Sequence, residues 1–114
     1  MQKTSLTALA RNLLATARDA SSGRAADTVF GGHEHLLRQT VIAMCAGVEL
    51  SEHNNPGEAT VQVLTGRVLL RAGDDEWSGS PGDLIIVPDQ RHALAAVDDA
   101  VVLLTVAKTD RSAR

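Results

Sequence analysis

Tyrosine is absent from this 114-residue chain, and phenylalanine and tryptophan occur once each. Any pocket the chain builds must therefore be lined mainly by aliphatic side chains. A single cysteine, Cys45, excludes an internal disulfide, so the fold does not depend on oxidation and a reducing cytoplasm is the expected setting. No apolar run approaches the ~18 residues of a membrane span, and the opening MQKTSLTALARNLL mixes polar with apolar residues where a signal peptide would have an unbroken core. Basic residues are too few and too scattered for a nucleic-acid stripe: 11 Lys and Arg stand against 14 Asp and Glu, for a net charge of -3. There is no Gly-rich phosphate loop, no CxxC pair and no Ser-His-Asp arrangement with a recognisable context. A general nucleic-acid binder, a membrane protein and the commonest hydrolase designs are thereby set aside.

What the chain does contain is a globular composition, 44% hydrophobic and 22% charged, at the length of one ordinary domain. Leu6, Leu9, Ala10, Leu13, Leu14 and Ala17 recur at helical spacing, with Thr4 or Ser5 in capping position, which predicts a helix over 5–18 ended by DASSG. Residues 1–30 are read as this helix and a linker. From Gly31-Gly32 the character changes to short segments rich in Val, Leu, Ile and Thr: 36–46, 48–53, 59–65, 67–72, 75–78, 83–88, 91–97 and 100–107. Turn clusters separate them, and short strands so spaced predict a barrel or sandwich of antiparallel sheets over 31–107. Residues 108–114 are read as a frayed tail.

Alternation assigns faces to the strands. Ala59, Val61 and Val63 share one face, and Val68, Leu70 and Ala72 share another, with Thr65-Gly66 predicted as a hairpin turn between them. Segment 83–88 (DLIIVP) is apolar at both parities and reads as a central strand covered on both sides. Segment 36–46 is also long and apolar on both faces. It is the expected partner-facing strand of a homodimer, in which the helix would cover the neighbour's sheet. Cys45 reads as a buried structural thiol.

The stretches GVELSEHNNPGEATVQVLTG (47–66) and GDLIIVPDQRHAL (82–94) resemble the two signature motifs of the cupin superfamily. Gly47, His53 and Gly66 fall on the first motif; Gly82, Pro88 and, after a turn one residue shorter, His92 fall on the second. The resemblance implies a double-stranded β-helix, the jelly-roll barrel, with its site inside. It also implies a divalent ion (Zn, Fe, Mn or Ni) held by three His and one Glu, of which His53 and His92 are kept. Asn55 stands at the second His position and Ala59 at the Glu position, while Glu58 should face the other way by alternation. A neutral amide is a poor ligand for such ions beside imidazole or carboxylate. His33 and His35, two apart on an extended segment, share a face and are the available supplement.

Two functions follow. In the first, the barrel is a small-molecule binding or sensing module whose pocket converges on His53, Asn55 and His92, with Val61, Val63, Leu70 and Ile86 as apolar lining. In the second, the resemblance implies a metal-dependent enzyme of dioxygenase, isomerase or cyclase type built on His53 and His92, or an imidazole acid–base site without metal. The losses at positions 55 and 59 favour binding.

Overall fold

The structure, a computed structural model, describes residues 2–53 and 57–108, and at 52 and 53 the backbone alone. Helix α1 (Leu6–Asp19) starts where the pattern placed it, the Ser5 hydroxyl accepting from the Ala8 amide at 3.2 Å. It is followed by β1 (Arg24–Phe30), β2 (Leu37–Met44), β3 (Glu49–His53), β4 (Gly57–Thr65), β5 (Val68–Ala72), β6 (Asp75–Gly79), β7 (Leu84–Ile86), β8 (His92–Ala96) and β9 (Ala100–Lys108). Strand β1 lies in the segment read as linker. Its composition, RAADTVF, carries only weak strand preference, and it forms by pairing with β2 from Arg24↔Met44 to Phe30↔Gln39.

The strands form two antiparallel sheets, β1-β2-β9-β4-β7 and β3-β8-β5-β6. Their inner faces enclose one core: Met44, Val61, Val63, Ile85, Val87, Val102 and Val106 from the first sheet meet Val68, Leu70, Leu94 and Ala96 from the second. Fully burying a Val or Leu contributes about 1.5–3 kcal/mol, so this layer carries most of the stability. A second, smaller core lies on the outer face of the five-stranded sheet. There Ala10 and Ala17 of α1 bring the helix close to Val41, Ala43, Val101 and Leu103. The helix thus covers its own chain's sheet, not a neighbour's, and the half-buried Cys45 packs under it.

Four strand-level expectations are corrected. Thr65-Gly66 is no hairpin: β4 and β5 belong to different sheets, and the chain turns a corner of the barrel there. Gly66 has φ +75°, and a Cβ on it would lie 2.1 Å from the Asp99 carbonyl oxygen, so close backbone approach demands glycine. Segment 83–88 is not central: β7 is an edge strand with an exposed outer face, Leu84 and Ile86 being 59% and 68% exposed. Strand β2 offers no free edge, because β1 and β9 flank it and α1 covers its outer face. Finally, Lys108 belongs to β9 and not to the tail; 109–114 lie outside the described residues.

Candidate functional site

The topology gathers the family-matching histidine positions at one end of the barrel. Strand β3 ends at His53 and β4 begins at Gly57; β7 runs on to Val87, whose amide bonds the Ala59 carbonyl, and residues 88–91 cross to the other sheet, where β8 begins at His92. In the β3–β8 ladder His53 and His92 are register partners, so their Cα atoms sit roughly 5 Å apart across the strands. The side chain of His53, and Asn55 as a whole, lie outside the described residues.

Among the described residues His92 is the buried polar one, 5% exposed, on the same parity as Leu94 and Ala96. Its Nδ1 lies 3.0 Å from the Gln90 carbonyl oxygen. A carbonyl can only accept, so Nδ1 carries the hydrogen and, in the neutral ring, Nε2 carries the lone pair. That tautomer makes Nε2 the acceptor atom of the neutral ring.

Val61, Val63 and Leu70 are buried in the shared core at 3%, 1% and 1% exposure, as alternation required. Ile86 is corrected: it points outward, and Ile85 and Val87 take the inward positions of that segment. Because DLIIVP is apolar at both parities, alternation alone had no means of choosing between them. His33 and His35 are exposed on the β1–β2 turn, and the His35 ring packs on Phe30 with centroids 5.0 Å apart.

The residue-level fit to a three-His, one-Glu metal centre fails on what is described. Ala59 is 5% exposed and inward, so a methyl group stands where the resemblance expects a carboxylate; Glu58 is exposed. Among the described residues no group of three or more His, Cys, Asp or Glu is arranged to hold a metal ion.

Sequence reasoning missed two cations at this end. Arg38 pairs with Val106, and across β2 and β9 the pairs Ile42–Val102 and Met44–Ala100 on the same parity all belong to the inner core. Cross-strand partners share a face, so Arg38 is inward and half-buried. Lys108, two residues beyond Val106, reaches the Gly32 carbonyl with its Nζ at 2.8 Å. The parity of Arg38 with Ile42 and Met44 was the available signal. Open clefts of about 420 and 410 Å³ flank α1 on the outer side of the five-stranded sheet, away from His92. Among the described residues no helix is long and apolar enough to cross a membrane.

No known family's sequence pattern matches the chain, and no curated protein does. Solved structures do. A conserved protein of unknown function from Streptococcus pyogenes superposes with a TM-score of 0.72 at 27% identity, covering 80% of this chain and 79% of that one. An RmlC-like cupin from Desulfovibrio desulfuricans gives 0.64 at 26% identity, covering 74% and 81%. The DMSP lyase DddQ from Ruegeria pomeroyi gives 0.66 at 23% identity over 77% of this chain, which spans 48% of that protein. With two antiparallel sheets closed around one core, motif glycines at the corners and cupins among its structural neighbours, the chain belongs to the cupin superfamily.

Proposed function

We propose that this cupin binds a small organic molecule at the barrel end where β3 and β8 meet, with His53, Asn55 and His92 as polar anchors and no resident metal. The observation that carries the reading is the pairing of a tautomer-fixed, buried His92 opposite His53, next to an inward Ala59 in place of a carboxylate. Two imidazoles can hydrogen-bond a ligand without a metal, whereas a divalent ion there would lack the anionic protein ligand that balances its charge. Likeness of fold does not choose between binding and catalysis, since neighbours of this barrel include both a lyase and a protein of unknown function.

The test has two arms. Elemental analysis of protein purified without an affinity tag should find no stoichiometric Fe, Mn, Ni or Zn; a stoichiometric ion would replace this reading with the enzyme one. A fragment mixture of neutral and charged small molecules, followed by heteronuclear NMR, should perturb the amides of β3 and β8 and the His92 ring, and His92→Ala should abolish those shifts. Perturbations confined to the clefts beside α1 would overturn the proposal.

A further inference from the structure

We infer that the ligand is an anion, recognised through a carboxylate or phosphate group by Arg38 and Lys108 on the inner face of the five-stranded sheet. The inference rests on the barrel end being a ligand site and names the class of ligand it takes. Arg38 is half-buried and inward, yet among the described residues no hydrogen bond or ion pair engages its guanidinium. Taking a cation partly out of water without a partner is unfavourable, and an oxyanion offered in the plane of the guanidinium fork removes that cost with two parallel hydrogen bonds. Lys108 lies next but one to Val106 on the neighbouring strand, its ammonium steadied by a single carbonyl with two further donors to offer.

The described carboxylates stand elsewhere. Asp27 pairs with Val41 on the helix-covered face, Glu58 is exposed, and Glu49 is ion-paired with Arg71. Glu34 and Asp89 are exposed on the connecting turns. An overall charge of -3 thus coexists with an inner barrel end whose described inward charges are positive. Such an end selects anions over neutral molecules of the same size.

The experiment titrates labelled protein with malonate, inorganic phosphate and glycerol, following the amides of β2, β8 and β9 and the His92 ring. Malonate or phosphate should give saturable shifts there and glycerol none; the tighter of the two anions identifies the recognised group. Arg38→Gln should weaken anion binding about tenfold or more, the loss expected for hydrogen bonds to a charged group. Arg71→Gln, on the outer face, should leave it unchanged. Circular dichroism establishes that both variants fold. Equal anion affinity in Arg38→Gln and the parent overturns the inference, as does an absence of saturation by either anion. Glycerol shifts at His92 that Arg38→Gln leaves intact would keep the site and discard the anion.

Discussion

The two ends of the barrel use their polar groups in opposite ways. At the end away from His92, Asp99 accepts from the Ala46 amide at 2.8 Å and from Arg18 Nε at 3.0 Å, tying the β8–β9 turn to the β2–β3 turn and to the last turn of α1. The Gly47 amide bonds the Ala96 carbonyl, the Val97 amide bonds that of Arg67, and Gly66 presses against Asp99 and Ala100. Polar groups there are satisfied within the chain, and what results is structure. At the other end Arg38 has no partner among the described residues, His92 has its tautomer set by a carbonyl, and Ala59 has a methyl where the resemblance expects a carboxylate. An end that spends its donors on itself is rigid. One that leaves cations facing inward is, in the proposal made above, the end that takes a ligand.

The largest effect expected at the closed end comes from Gly66→Ala. Positive φ combined with a Cβ driven into the Asp99 and Ala100 backbone should destabilise by about 4 kcal/mol, strain and overpacking together. Denaturant unfolding measures it, and a loss below about 1 kcal/mol would show that the corner relaxes easily.

At the open end, Ala59→Glu should cost roughly 2 kcal/mol without metal, because it buries a carboxylate. Combined with Asn55→His it should bind Zn far more tightly than the parent and recover that stability when Zn is added. Zn titrations of the two proteins make the comparison. Equal affinities would mean that the native ligand set is already complete, most simply through His33 or His35.

Asp99→Asn tests the closed end by pH. The Ala46 amide and then Arg18 hold the Asp99 carboxyl below its usual value of 3.8. A carboxylate whose folded pKa is lowered adds stability above its unfolded pKa and loses it as pH falls through the folded one. Parent and variant should therefore differ at neutral pH and converge as the pH drops below 3.8. A difference that persists unchanged into acid would assign the effect to packing. The smallest change is expected from Glu49→Gln, which breaks the exposed 2.6 Å pair with Arg71 on the outer face. Thermal melts should register less than about 1 kcal/mol.

Much of this was legible along the chain. The inward set Ala59, Val61, Val63, Val68 and Leu70 follows from period two alone, and α1 from its period of 3.6 and its Ser5 cap. Ile86 was not legible, because a strand apolar at both parities looks the same at a sheet's centre and at its open edge. Strand β1 was missed since it owes its form to β2 more than to its own residues.

Alternation, turn glycines and cap residues are local properties, and the sequence by itself determined them: an N-terminal helix, strands with an inner and an outer face, and histidines at the motif positions. Which strands became neighbours was decided only in three dimensions, because ladder partners such as Arg38 and Val106 or His53 and His92 lie far apart along the chain. The turn at Gly66 became a corner because sheet closure brought the Asp99 backbone against it. The same closure gathered Arg38, Lys108 and His92 at one end, a gathering of polar side chains that no local pattern encodes, since it arises from hydrogen bonding between remote segments.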